Sequence, residues 1–88
     1  MAKKRLYIDV REPEEFQSGH VNGAVNLPCS ILISGRTPLN HIDKEAELIV
    51  YCQSGKRSSF AIQILKQMGY SSVINGISAD YVNNNYLT

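Results

Sequence analysis

The sequence predicts an α/β domain with a small, mostly parallel β-sheet flanked by helices, and three observations predict it. Short apolar segments alternate along the chain with segments of helical character. The clearest apolar run, Leu48-Ile49-Val50-Tyr51, is uninterrupted, as befits a strand covered on both faces. Beyond it, Phe60, Ala61, Ile64, Leu65 and Met68 recur at helical spacing, with Gln63, Lys66 and Gln67 opposite. The connection between strand and helix, starting at Cys52, is the natural place to look for a site, because ligands of such sheets bind beyond the carboxyl ends of the strands.

In chain order, Leu6-Tyr7-Ile8-Asp9-Val10 reads as a short buried strand. Arg11 to Phe16 follows as a turn and helix start: Pro13 suits a first helical turn, and Glu14 and Glu15 complement its dipole. Gly19 stops that helix, His20-Val21-Asn22-Gly23 turns, and Ala24 to Leu27 forms a brief strand ended by Pro28. The signal then weakens. Ile31, Leu32 and Ile33 suggest one helical turn, and Ser34-Gly35-Arg36-Thr37-Pro38 reads as loop, with Arg36 placed to flank a pocket.

Glu47 to Tyr51 is expected as the central strand, and the helix after the loop is expected from about Ser58. That helix should end at Gly69 in a left-handed conformation, with Tyr70 packing back on Leu65. Ser72-Val73-Ile74 reads as a strand closed by Asn75-Gly76, and Ala79 to Val82 as a last short helix. Asn83-Asn84-Asn85 is a poor helix former and is expected to fray.

Bulk properties narrow the function. The 88 residues suit a single domain over 1–88, which buries about 60–65% of its unfolded surface. A hydrophobic share of 43% and a net charge of +1 argue for a soluble globular protein with no global field for nucleic acid or a membrane. Lys3-Lys4-Arg5 is too short for a nucleic-acid arm and reads as a solvated end. Two cysteines, Cys29 and Cys52, are too few for a disulfide-stapled secreted domain. With no leader-like stretch, the expected compartment is the cytoplasm, or the periplasm if a signal peptide has been removed.

The loop's chemistry follows from its residues. Cys52 stands at the end of a strand, just before a helix N-terminus, with Lys56 and Arg57 nearby and Ser54, Ser58 and Ser59 as hydroxyl donors. Cationic neighbours and the positive end of a helix both lower a thiol pKa. Backbone N–H groups of a tight loop entering a helix form an anion nest, which stabilises a thiolate and any anionic group attached to it. No His or acid adjoins Cys52 in sequence, so a Cys–His pair has no local support. Cys29, without cationic neighbours, reads as structural, with a resolving thiol as the minority reading. His20 reads as a turn residue, and no metal-ligand spacing links it to His41.

Three motifs give the chain a resemblance over nearly its whole length. They are Asp9-Val10-Arg11-Glu12-Pro13-Glu14-Glu15-Phe16 with Gly19-His20-Val21-Asn22-Gly23-Ala24-Val25-Asn26-Leu27-Pro28; Ile49-Val50-Tyr51-Cys52-Gln53-Ser54-Gly55-Lys56-Arg57-Ser58; and Leu65-Lys66-Gln67-Met68-Gly69-Tyr70 leading to Val73-Ile74-Asn75-Gly76-Ile77. In this order the chain resembles a single-domain rhodanese, of the small bacterial thiosulfate sulfurtransferases of the phage-shock type.

The resemblance implies a rhodanese-like fold and a Cys52 that cycles between thiolate and persulfide, with no cofactor and no metal. Sulfur would come from thiosulfate or another persulfide donor and pass to cyanide or a thiol. The amides of Gln53, Ser54, Gly55, Lys56 and Arg57 would cradle the persulfide, Ser58 would complete the donor-binding loop, and Lys56 and Arg57 would hold the donor's oxyanion end. Asp9 and Arg11 would form a structural ion pair. In this superfamily a six-residue loop, here Cys52 to Arg57, goes with sulfur transfer, whereas phosphatases and arsenate reductases use a loop one residue longer. The alternative reading is a sulfur-relay module that takes sulfur from a partner protein. The chain departs from the family at Asn22, at Asn75 (where a Gly-Gly pair is usual) and at Tyr81, which would stand in for a tryptophan one position late.

Overall fold

The computed structural model describes residues 4–35 and 42–87. Arg36 and His41 lie outside them. The elements are β1 (Arg5–Asp9), α1 (Pro13–Gln17), β2 (Val25–Asn26), α2 (Cys29–Ser34), β3 (Glu47–Cys52), α3 (Lys56–Gln67), β4 (Ser72–Ser78) and α4 (Ala79–Asn85). The strands form one parallel sheet in the order β2-β1-β3-β4.

β3 is interior, as its unbroken apolar run predicts. Alternation along it feeds two cores. Leu48, Val50 and Cys52 pack with Ala61 and Leu65 of α3, while Ile49 and Tyr51 join Val82 of α4 on the opposite face. Each of these large side chains is fully buried, and full burial of one such aliphatic side chain is worth about 1.5–3 kcal/mol. The same alternation sends the Cys52 side chain to the α3 face, where a helix begins.

α3 ends as expected. Gly69 (φ 101°) follows the C-cap Met68, its N–H donates to the Lys66 carbonyl, and the Tyr70 N–H donates to the Leu65 carbonyl. That pair of bonds is the Schellman pattern, and Tyr70 and Leu65 share the core.

Four expectations are corrected. α3 starts at Lys56, two residues before Ser58, so only Gln53, Ser54 and Gly55 lie between strand and helix. α2 extends from Cys29 to Ser34 rather than over a single turn, with Pro28 at its N-cap. β4 does not close at Asn75-Gly76 but runs on to Ser78, because the register shifts there: Val50 pairs Asn75 and Tyr51 pairs Ile77, leaving Gly76 as the extra residue of a bulge. Glycine is required at the bulge, since a Cβ on Gly76 would lie 2.6 Å from Val82 Cγ2 and 2.9 Å from Ile49 Cγ2.

Finally, the asparagine run is helical. α4 is capped by Ser78, whose Oγ accepts from the Tyr81 N–H at 3.1 Å, and anchored by the buried Val82. Asn85 Nδ2 donates to the Tyr81 carbonyl at 2.9 Å. Cap and burial outweigh the weak propensity of the run.

Candidate active site

The N-cap of α3 is Gly55, held at φ 95° in the left-handed region. It has no side chain to accept the free N–H groups of the first helical turn, and those groups need an acceptor. Cys52 supplies it. Its Sγ accepts from the Gly55 N–H at 3.1 Å and from the N–H of Ser58, the third residue of the helix, at 3.4 Å. A sulfur thus fills the place an Asp or Ser oxygen takes in an ordinary cap. The Ser58 hydroxyl lies 3.5 Å from the same sulfur. Burial pushes the Cys52 thiol up, but the hydrogen bonds its sulfur shares with the Ser58 side chain and with the Ser58, Ser54 and Gly55 amides bring it down from 9.0 to about 7.

Cys52 faces an open depression of about 260 Å³ that it shares with Arg11, Gln53, Ser78, Ala79 and Asp80. Arg11 is fixed from several sides. Its Nε and Nη2 hold the buried Asp9 carboxylate at 2.7–3.1 Å, and Nη2 also donates to the Gly19 carbonyl at 2.7 Å. Asn26 Nδ2 donates to the Asp9 and Arg11 carbonyls at 3.1 and 3.0 Å and so sets the backbone between them. The expected ion pair is present, and Arg11 is also a pocket cation. Its Nη1 is the guanidinium nitrogen left without a hydrogen-bond acceptor among the described residues.

The loop's own cations divide. Lys56 is exposed at the first position of α3. Arg57, expected to bind a donor's oxyanion end, is instead paired with Glu15 of α1, Nη1 to Oε1 at 2.7 Å and Nη2 to Oε2 at 3.0 Å. The Arg57 fork holds the Glu15 carboxyl down at about 2. Glu15 Oε1 also accepts from the Glu12 N–H at 3.0 Å, so α1, its capping residue and the start of α3 are tied together.

The structure therefore brings Gln53, Gly55, Ser58 and the Ser54 amide to Cys52 or its pocket, leaves the Ser54 and Lys56 side chains exposed, and engages Arg57 elsewhere. The pocket wall opposite the loop is Ser78, Ala79 and Asp80; Tyr81 is not part of it and packs near Tyr86, ring centroids 6.4 Å apart. Asp80 is the acid that sequence neighbours of Cys52 could not reveal. The bulge at Gly76 and the Ser78 cap bring it there.

Cys29 is half-buried at the start of α2, its Sγ 3.5 Å from the Arg57 carbonyl, and burial raises its pKa. His20 stacks on Phe16 with ring centroids 3.7 Å apart, and its Nδ1 lies 2.8 Å from the Phe16 carbonyl, as suits a turn residue. Among the described residues no helix is long and apolar enough to cross a membrane.

The model of the family described as "Rhodanese-like domain" matches residues 1–78. Thiosulfate sulfurtransferase PspE of Escherichia coli (strain K12) is 42% identical over 69 residues, 78% of this chain; the chain spans 65% of that relative's length. Among solved structures, one titled "rhodanese with anions from E. coli" superposes with a TM-score of 0.72 at 38% identity, covering 88% of this chain and 89% of that one. The human single-domain sulfurtransferase TSTD1 superposes with a TM-score of 0.71 at 31% identity, covering 86% and 75%.

Proposed function

The chain belongs to the rhodanese-like sulfurtransferase family, and from that premise we propose that it moves sulfane sulfur from thiosulfate, or another small anionic persulfide donor, to cyanide or a thiol through a persulfide on Cys52. One observation carries the reading: Cys52 Sγ sits at 3.1 and 3.4 Å from two backbone N–H groups at the N-terminus of α3 while facing an open pocket.

The first step consumes a thiolate. Cys52 S⁻ attacks the outer sulfur of thiosulfate, the donor's S–S bond breaks, and sulfite leaves with the electron pair. The product, Cys52–S–S⁻, keeps one negative charge beside the same amides and the helix dipole, so no separate base is needed to hold it. The acceptor then attacks the outer sulfur, thiocyanate departs when the acceptor is cyanide, and the thiolate returns.

Arg11 supports donor binding from its fixed position on Asp9, with Nη1 free to meet a sulfonate oxygen, and exposed Lys56 adds positive charge at the rim. Gln53 lines the pocket, and the amides of Ser54, Gly55 and Ser58 are the persulfide's donors. Arg57 enters this scheme as the latch to Glu15 rather than as a donor ligand.

Thiocyanate production from thiosulfate and cyanide tests the reading. Turnover by the natural protein, abolished in Cys52→Ser, is expected. Persulfidation of Cys52 only in the presence of a cysteine desulfurase, with no thiosulfate turnover, would replace it with the sulfur-relay reading. Hydrolysis of an aryl phosphate lost in Cys52→Ser would replace both.

A further inference from the structure

Asn75 stands where the family resemblance leads one to expect glycine, and its side chain uses every hydrogen-bonding position it has. Oδ1 accepts from the Ile77 N–H at 2.9 Å and from the Ser58 hydroxyl at 2.7 Å. Nδ2 donates to the Gly55 carbonyl at 3.2 Å and to Ser59 Oγ at 3.0 Å. The amide's orientation is fixed by its partners, because the Ile77 N–H can only donate and the Gly55 carbonyl can only accept. The atom facing Ser58 Oγ is therefore a carbonyl oxygen, and at 2.7 Å the serine must donate to it.

A serine has one hydroxyl hydrogen. While it is on Asn75, Ser58 presents a lone pair to Cys52 Sγ 3.5 Å away. That arrangement suits an S–H donor and opposes a thiolate. The chain of donors runs from the Cys52 thiol to Ser58 to Asn75. To stabilise the thiolate, the hydroxyl must turn from Asn75 to sulfur, leaving Oδ1 with the Ile77 N–H alone.

We propose that Asn75 is a positioning residue that acts through Ser58: by accepting the serine's only O–H hydrogen bond it keeps Cys52 in the thiol form, and that hydrogen bond turns from Asn75 to the sulfur, the O–H bond itself intact, as the thiolate forms. Cys52's own proton leaves to solvent through the open pocket.

The other ionisable groups around Cys52 are Arg11 after β1 and Asp80 on α4, which share its pocket; Lys56 and Arg57 in the first turn of α3, the latter held by Glu15 of α1; and the Cys29 thiol of α2. Among the described residues none of them hydrogen-bonds Asn75, so changes at Asn75 reach Cys52 through Ser58 and the loop.

The proposal rests on Cys52 being the reacting sulfur. Its test reads ionisation alone, so it can fail without touching sulfur transfer, which the turnover assay decides. The rate of iodoacetamide alkylation, quantified at Cys52 by peptide mass spectrometry, is followed against pH in the natural protein, Asn75→Ala, Ser58→Ala and the double variant. A hydrogen bond to a charged group is worth about one to two pKa units. Asn75→Ala should lower the midpoint by about one unit, a roughly tenfold faster alkylation below it. Adding Ser58→Ala to Asn75→Ala should reverse that gain, whereas Ser58→Ala alone should leave the midpoint where it is or lower it.

A rise on Ser58→Ala alone, equal to its effect in the double variant, would mean the hydroxyl already serves the sulfur and would overturn the proposal. So would a folded Asn75→Ala with an unchanged or higher midpoint. Should Asn75→Ala fail to fold, Ser58→Ala decides alone: an unchanged or lower midpoint supports the proposal, and a raised one overturns it.

Discussion

Replacing Gly55 with alanine strikes the site at its hinge. Gly55 holds φ 95° as the N-cap of α3, and its N–H makes the shorter of the two amide contacts to Cys52 Sγ, at 3.1 Å. Crowding is not the obstacle, for an added Cβ would meet Ile77 Cγ2 at an ordinary 3.6 Å. The obstacle is the left-handed backbone, which costs an L-residue roughly 1–2 kcal/mol.

If the loop keeps its shape, Gly55→Ala loses that much stability, about 4–16 °C in Tm for a domain of this size. If the loop relaxes instead, the Gly55 N–H leaves the sulfur, and loss of a hydrogen bond to the thiolate raises the Cys52 midpoint by about one to two units. Thermal unfolding and iodoacetamide alkylation against pH measure both outcomes. Gly23→Ala is the control: it has φ 86°, nothing within 4 Å of an added Cβ, and no place in the loop, so it should lose stability without moving Cys52. A Gly55→Ala protein with natural Tm, natural Cys52 midpoint and natural turnover would refute the account of the loop.

Other expectations follow from the same geometry. Gly76→Ala forces a Cβ within 2.9 Å of Ile49 and Val82, and overpacking of that kind costs about 1–3 kcal/mol or more, read by denaturant unfolding. Asp80→Asn removes an acid from the pocket proposed to take the anionic donor; at a partly solvated separation this is worth about 0.5–1 kcal/mol, so KM for thiosulfate should fall roughly two- to fivefold, less at high salt. The pH profile of kcat/KM should rise with the thiolate and level off, its bend lying between about 7 and 9.0. Because the folded-state pKa is depressed, the stability the thiolate adds is complete above 9.0 and is lost as pH falls through about 7. The unfolding free energy of the natural protein relative to Cys52→Ala should accordingly grow between those values.

What the sequence revealed, it revealed through local patterns. The apolar run at Leu48–Tyr51 identified the interior strand, the spacing from Phe60 to Met68 identified α3, and Gly69-Tyr70 identified its Schellman end. Cys52 at the strand's carboxyl end followed from those two elements. Where tertiary contacts overrode local signals, the reading slipped. Asn75-Gly76 has the composition of a turn, yet the packing of α4 on Ile49 makes it a bulge within a continuing strand. Arg57 stands beside Cys52 in the chain, but its partner Glu15 lies 42 residues away. Asp80 and Asn75 reach the site only because β4 pairs with β3 and α4 folds back over their ends.

If Cys52 itself carries the transferred sulfur, the protein's intact mass changes after incubation with thiosulfate and removal of the donor. A gain of one sulfur atom is expected, located at Cys52, reversed by cyanide and absent from Cys52→Ser. An unmodified mass in the natural protein, or the same gain in Cys52→Ser, would contradict it.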